Sequence, residues 1–171
     1  FIISLNTMNY FRKLNKHFKY PDYVDVFLEI PKGSVNKYEF SDGFLKFNRK
    51  LDFSGYPCSY GFIPNTMGQD GDALDALILS EEPILPQVIV RSKVLGALNM
   101  EDEEGIDHKI VTSANSKFLN YNNLDDVPLA EKDKIWDFFE HYKDFSEGKF
   151  TKIYGWLNQK EALDLILSSK L

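Results

Sequence analysis

"NKYEFSDGFLKFNR", residues 36–49, sets two runs of β-formers on either side of Ser41-Asp42-Gly43. Asp-Gly supplies the positive φ that a tight two-residue turn requires, so this stretch reads as a β-hairpin. Similar short runs continue outward. "VDVFLEI" (24–30) alternates only roughly and is ended by Pro31-Lys32-Gly33, while "ALDALIL" (73–79) runs up to Pro83 and Pro86. "QVIVRSKVLGALNM" (87–100) and "HKIVTSA" (108–114) follow. The first 115 residues therefore predict a mainly antiparallel β domain.

After them the period changes. Ile135, Phe138, Phe139 and Tyr142 fall at i, i+3, i+4 and i+7, one face of a helix. "FTKIYGWL" (150–157) reads as a last strand. "NQKEALDLILSSK" (158–170) opens with Asn158 and Glu161 at capping-box spacing and predicts a short amphipathic helix. Strands first and helices late place the chain in the α+β class, a small barrel with two C-terminal helices packed against it.

The 171 residues suffice for one domain with a real core and are too few for two comfortable ones. A net charge of -6 argues against a general nucleic-acid binder, whose affinity rests on basic surface. It leaves room for a small anionic substrate, because a metal ion can invert the local field. The single cysteine, Cys58, permits no intrachain disulfide and reads as a small buried hydrophobe. No apolar run approaches the ~18 residues of a membrane helix. Residues 1–20 stand apart: they hold no acid and four basic residues, Arg12, Lys13, Lys16 and Lys19. They read as a basic N-terminal extension, either an ordinary helix packing on the domain or the remnant of an organelle transit peptide, ahead of a single domain over residues 21–171.

The chemistry concentrates in "GQDGDALDAL" (68–77), where Asp70, Asp72 and Asp75 sit among small and apolar residues. Three ionised carboxylates this close repel one another. An EF-hand does not fit, because counting from Asp70 puts Asp75 where the invariant glycine belongs. Alone, the cluster reads as a solvated turn. A second acidic group, Asp102 and Asp107 around Gly105 in "MEDEEGIDHK" (100–109), shifts the balance. Hard carboxylate oxygens without paired cysteines suit Mg²⁺ or Mn²⁺ better than zinc. Lys37, Arg49 and Lys143, with Tyr60 and Tyr142, add the cations and hydroxyls that a phosphate-transferring site needs. On periodicity alone Tyr142 is a core aromatic, and His17, His108 and His141 read as structural or surface residues.

Six motifs in order, "EIPKGSVNKYEF", "FNR", "YPCSYGFIPNT", "DGDALD", "MEDEEGIDHK" and "FFEHYKD", make the chain resemble the soluble, Mg²⁺-dependent first family of inorganic pyrophosphatases from about residue 22 onward. Ala73 stands where that family usually has proline, a change in a turn rather than at a ligand. The resemblance implies an OB-like five-stranded barrel and an enzyme that hydrolyses diphosphate to two phosphates. It implies metal ligation by Asp70, Asp75, Asp102, Asp107 and Glu39, and proton abstraction from the attacking water by Asp72. It implies contacts of Lys37 and Tyr60 to the phosphoryl group under attack, and of Arg49, Tyr142 and Lys143 to the leaving phosphate. Glu29, Tyr56, Glu103 and Lys109 would support these groups from behind. Several Mg²⁺ per site are implied, with Mn²⁺ or Zn²⁺ as substitutes.

Metal ions would lower the pKa of bound water from about 15.7 toward neutrality. The planar fork of Arg49 could hold a phosphate bidentately in a way that lysine cannot. The expected assembly is a homo-oligomer, a hexamer ahead of a dimer, and the 15% aromatic content, with exposed-looking Phe and Tyr over residues 40–62, fits that. The expected location is the cytoplasm, with an organelle lumen as the alternative if residues 1–20 are a transit remnant. No nucleic-acid or membrane partner is expected. Two rival readings remain: a β-barrel binding module holding a structural divalent ion, and an Mg²⁺-dependent phosphatase of nucleotides or sugar phosphates. The first leaves Lys37, Arg49 and Lys143 unexplained; the second needs an apolar pocket for the organic group.

Overall fold

A computed structural model describes residues 11–114, 116 and 120–171; the first ten residues of the basic extension lie outside the described residues. The strands are β1 (Tyr23–Ile30), β2 (Asn36–Ser41), β3 (Phe44–Lys50), β4 (Ser59–Phe62), β5 (Asp75–Leu79), β6 (Ile89–Asp102), β7 (Gly105–Ile106), β8 (Lys109–Ala114) and β9 (Thr151–Leu157). Among the described residues the two longer helices are α1 (Leu129–His141) and α2 (Gln159–Ser168). No helix among the described residues is long and apolar enough to cross a membrane.

Five strands close a ring. β1 pairs with β4, β4 with β5, β5 with β8, β8 with β6, and β6 returns to β1. All these pairs are antiparallel except β5–β8, which is parallel. The closure depends on the length of β6. Its first residues, Ile89 to Lys93, pair with β1, and its far end, Ala97 to Asp102, carries β9 as an extra strand. Closing a sheet removes its open edges, which would otherwise invite pairing with other chains.

β2 and β3 form a separate two-stranded sheet. Asp42 and Gly43 both have positive φ, 54° and 84°, the turn anticipated from Asp-Gly. The expected exposure of aromatic residues over 40–62 is correct for Phe44 and Phe47 but not for Tyr56 and Tyr60, which are buried.

Both faces of the barrel strands are covered, so their sequences read as nearly continuous apolar runs rather than clean alternation. Leu77, Leu98 and Val111 belong to one core cluster with Ile135, Phe138, Phe139 and Tyr142 of the α1 region. Ala76, Ile78, Val94 and Ile110 belong to a second, with Ala162 and Ile166 of α2. α2 starts in the expected capping box, with Asn158 Oδ1 accepting from Glu161 N–H and Glu161 Oε2 accepting from Asn158 N–H. Residues 11–20 pack on the domain: Phe11 and Asn15 are both buried.

At Gly61, β4 crosses β1 so closely that an added Cβ would collide with the Phe27 carbonyl oxygen. Both contact atoms would be backbone or Cβ, so no side-chain rotation can relieve the clash. Gly61→Ala should lower unfolding stability by about 3 kcal/mol, the upper part of the range for overpacking. Denaturant unfolding followed by circular dichroism measures this, and a midpoint equal to that of the parent would contradict the close approach.

Candidate active site

The acidic loop 68–75 is bent by a turn. Gly71 has φ 87°, Gly68 N–H donates to the Asp72 carbonyl at 2.7 Å, and Asp72 N–H donates to Asp70 Oδ1 at 3.0 Å. The bend brings Asp75, at the head of β5, to the same side as Asp70 and Asp72. Thr66 staples the loop's ends: its hydroxyl donates to the Ile63 carbonyl at 2.6 Å and accepts from Leu74 N–H at 3.0 Å.

The second acidic group comes from the tight β6–β7 turn. Asp102 pairs in register with Gly105, and Asp107 follows β7 directly. In the parallel β5–β8 pair, Asp75 is in register with Lys109. The Lys109 ammonium donates to Asp75 Oδ2 and Asp107 Oδ2, both at 2.6 Å, and to the Tyr60 hydroxyl at 3.3 Å. Lys143, just past α1, donates to Asp102 Oδ2 at 2.6 Å and to both Glu103 carboxylate oxygens at 3.1 Å. The two buried ammonium groups thus neutralise carboxylates that would otherwise repel one another.

These groups line one cleft of about 560 Å³. Of the residues singled out from sequence, Glu29, Lys37, Glu39, Arg49, Tyr60, Asp70, Asp72, Asp75, Asp102, Glu103, Asp107, Lys109, Tyr142 and Lys143 all line it. Tyr56 stands behind, its ring 5.3 Å from that of Tyr60 and 4.7 Å from that of Phe138. Tyr142 is both things the sequence allowed: it stacks on Phe138 in the core and lines the cleft. Among the described residues no three acidic, histidine or cysteine side chains are grouped so that they could hold a metal ion; Asp75 and Asp107 instead meet on Lys109. The donor set is nonetheless all hard oxygen, the chemistry that suits Mg²⁺.

Sequence reasoning missed several residues in or beside the cleft. Lys149 and Glu104 lie at the rim, Lys149 Nζ being 4.0 Å from Glu103 Oε1. Ser146 accepts from Arg49 Nη1 at 2.8 Å. Phe11, from the N-terminal segment, also reaches the cleft. Lys149 could have been suspected from its place after Lys143 and the Gly148 turn; Ser146 and Phe11 carry no local signal.

The cleft shifts its ionisable groups. Burial raises Asp70 and Asp72 above the ordinary carboxylate range, and neighbouring acids push the same way. Burial likewise raises Asp107, with Lys109 only partly offsetting it. Asp102 is lowered: burial works against its charge, but hydrogen bonds from Lys143 and Glu104 N–H outweigh that. Burial lowers Lys37. It raises Lys109's neighbour Tyr60 strongly, whereas Lys109 itself is held protonated because Asp107 and Asp75 overcome its burial. Glu29 is pushed up to about 8 by burial, although Phe40 N–H donates to its Oε1 at 2.7 Å.

A family model described as inorganic pyrophosphatase matches residues 26–170. The chain is 44% identical to the inorganic pyrophosphatase of Sulfolobus acidocaldarius over 153 residues, covering 85% of this chain and 88% of that protein. It is 42% identical to the inorganic pyrophosphatase of Thermus thermophilus, covering 85% and 87%. A crystal structure of an inorganic pyrophosphatase from Thermus thermophilus superposes with a TM-score of 0.86 at 41% identity, covering 90% of this chain and 92% of that one.

Glu29 gives a pH signature. A carboxyl whose folded-state pKa exceeds its unfolded value binds more protons in the folded state between the two, so stability falls as pH rises across that window. For Glu29 the window runs from about 4.5 to about 8. In metal-free protein, Glu29→Gln keeps an acceptor for Phe40 N–H and should flatten the decline of Tm over that window. Parallel Tm–pH profiles for the two proteins would refute a protonated Glu29.

Proposed function

This chain belongs to the inorganic pyrophosphatase family and hydrolyses diphosphate to two phosphates, and we propose that it does so in the cleft just described, with Mg²⁺, with Asp72 as proton acceptor, and with Lys37, Arg49, Tyr60, Tyr142 and Lys143 as phosphate contacts. One observation carries the assignment of roles: carboxylates from two separate loops face cations from the hairpin and from the end of α1 across a single cleft.

Asp70, Asp75, Asp102, Asp107 and Glu39 would hold the divalent cations, and several hard oxygens on two loops fit Mg²⁺, with Mn²⁺ or Zn²⁺ as substitutes. Bound there, the cations supply charge neutralisation of a polyanionic substrate and acidify water. The remaining work falls to the chain. Lys37 and Tyr60 grip the phosphoryl group under attack; the bond from Lys109 to the Tyr60 hydroxyl fixes that hydroxyl's direction. Arg49 grips the departing phosphate from the hairpin, and Tyr142 and Lys143 grip it from the end of α1 and stabilise its growing charge as the bridging P–O bond breaks. Lys143 is already bonded to Asp102 and Glu103, so phosphate competes with them for its ammonium. Asp72, its pKa raised by burial, takes the proton of the attacking water. Glu29, Tyr56, Glu103 and Lys109 hold these groups in place.

A phosphatase of organic phosphates would need a slot for the organic group. Phe11, Phe40 and Phe62 do line the cleft, their rings packed on one another at 5.5–6.2 Å, so the choice of diphosphate over an organic phosphate rests on the family match. Assembly as a homo-oligomer, a hexamer ahead of a dimer, is part of the same reading. It is supported by the exposure of Phe44, Phe47, Leu129 and Phe145, each more than 60% exposed. Cytoplasmic residence also fits a buried thiol, Cys58, that burial pushes up to about 12 and so keeps unreactive. A monomeric mass in light scattering would refute the assembly.

Phosphate release from diphosphate, ATP and a phosphomonoester, with and without chelator, tests the reaction. Metal-dependent release from diphosphate alone is expected, and comparable release from the monoester would overturn it. Asp72→Asn and Asp75→Asn then separate two roles three residues apart. Asp72→Asn should lose about 10²–10⁴-fold in kcat, the range for a lost general base, at an unchanged Mg²⁺ requirement. Asp75→Asn should raise the Mg²⁺ needed for half-maximal rate. Superimposable Mg²⁺ titrations of the two variants would overturn the division.

A further inference from the structure

The β2–β3 hairpin carries Lys37, Glu39 and Arg49, yet among the described residues it pairs with no other strand. A lone two-stranded hairpin is marginal in water, so its place over the cleft has to come from other contacts. At its base Tyr56 N–H donates to the Ser34 carbonyl at 2.9 Å and Leu51 N–H to the Val35 carbonyl at 2.7 Å. At mid-length Phe40 N–H reaches Glu29, and the Phe40 ring meets the ring of Phe27 on β1 at 4.7 Å. The Phe11 ring stands edge-on to three others: Phe27 at 5.3 Å, Phe40 at 5.5 Å and Phe62 at 5.7 Å.

We infer that Phe11 is a positioning residue for diphosphate hydrolysis: packed edge-on against Phe40 of the hairpin and against Phe27 and Phe62 of the barrel, it buttresses the direct Phe40–Phe27 contact and so holds the wall bearing Lys37 and Arg49 in place over the wall bearing the acidic loop. The inference rests on Lys37 and Arg49 being phosphate contacts.

Phe11 itself is held by a polar anchor. Asn15, buried and with φ 57°, donates its N–H to Asp25 Oδ2 at 3.0 Å and its side-chain amide to the carbonyls of Asp25 at 3.1 Å and Pro64 at 3.0 Å. Its side-chain oxygen accepts from Asp25 N–H at 2.7 Å. Asn65 Nδ2 donates to the carbonyls of Phe11 and Leu14, at 2.8 and 3.0 Å. Asn65 precedes Thr66, the residue that staples the acidic loop. The segment therefore grips the barrel beside that loop and presents one ring to the hairpin. The acidic loop keeps its own staple, so loosening Phe11 should displace the cations on the hairpin while leaving Asp72 in place. Contacts made equally in bound substrate and transition state govern KM rather than kcat.

The test is steady-state kinetics on Mg²⁺–diphosphate for Phe11→Ala, Phe11→Leu, Asn15→Ala and the Phe11→Ala/Asn15→Ala double variant, with Tm measured for each. Phe11→Ala should raise KM about tenfold, well inside the ~10²-fold that a misplacement of about 1 Å can cost, with kcat within about twofold. Phe11→Leu should recover most of the loss. Asn15→Ala should shift KM the same way, and the double variant should be no worse than the poorer single, because both act through one ring. Ile166→Val, in the α2 core away from the cleft, should lower Tm without moving KM.

A folded Phe11→Ala with parental KM overturns the inference, as do additive single variants or a KM that tracks Tm across all variants including Ile166→Val. Should Phe11→Ala fail to fold, an unmoved KM in both Phe11→Leu and Asn15→Ala overturns it. Arg49→Lys, run alongside, tells the two readings apart. An unchanged KM there removes the hairpin's role as phosphate clamp and this inference with it. A raised KM there with Phe11→Ala unmoved overturns this inference alone.

Discussion

A single buried ammonium holds the site together. Lys109 lies at the head of β8, in register with Asp75 at the head of the parallel neighbour β5, and it reaches Asp107 as well. Removing one partner of a buried ion pair costs about 3–5 kcal/mol because the remaining charge is left uncompensated. Here the loss would strand two carboxylates facing each other at the one parallel junction of the barrel. The acidic loop, the β6–β7 turn and the ring closure between β5 and β8 therefore share a dependence on Lys109. Tyr60 joins them through its hydroxyl, and Phe139 through the approach of the ammonium to within 5.7 Å of its ring centroid.

Much of the fold was legible because it rests on local rules. The Asp42-Gly43 turn, the capping box at Asn158 and Glu161, and the helical spacing of Ile135, Phe138, Phe139 and Tyr142 each follow from chemistry within a few residues. Pairing between distant strands does not. Nothing in "ALDALIL" or "HKIVTSA" says that β5 and β8 run parallel, because a strand buried on both faces has the same apolar composition in either orientation. Nothing in "QVIVRSKVLGALNM" says that one strand serves β1, β8, β7 and β9 in turn.

The site divides in the same way. Its acids stood out because three carboxylates in six residues are costly unless compensated. Lys109 entered only through the family resemblance, since a lysine in a strand is ordinarily an exposed residue, and it is the register with Asp75 that shows what it pairs with. Phe11 lay inside a stretch distinguished by basic charge, which drew attention to Arg12 and Lys13 rather than to the ring between barrel and hairpin.

Charge arithmetic then links the fold to the chemistry. Lys109 serves Asp75 and Asp107, and Lys143 serves Asp102 and Glu103, so two ammonium groups answer four carboxylates. Asp70 and Asp72 have their ionisation opposed by burial and by neighbouring acids, and Glu29 is pushed up to about 8. An excess of negative potential is thus built into the cleft by backbone turns that nothing electrostatic favours. Such a cleft repels a bare polyanion and attracts divalent cations. If cations bind there as proposed, the sign of the local field would reverse, and the same geometry that excludes diphosphate would then draw it toward Lys37, Arg49 and Lys143. On that proposal the mutual repulsion of the three aspartates in the 70–75 turn would itself be the source of affinity for the ions that admit the substrate.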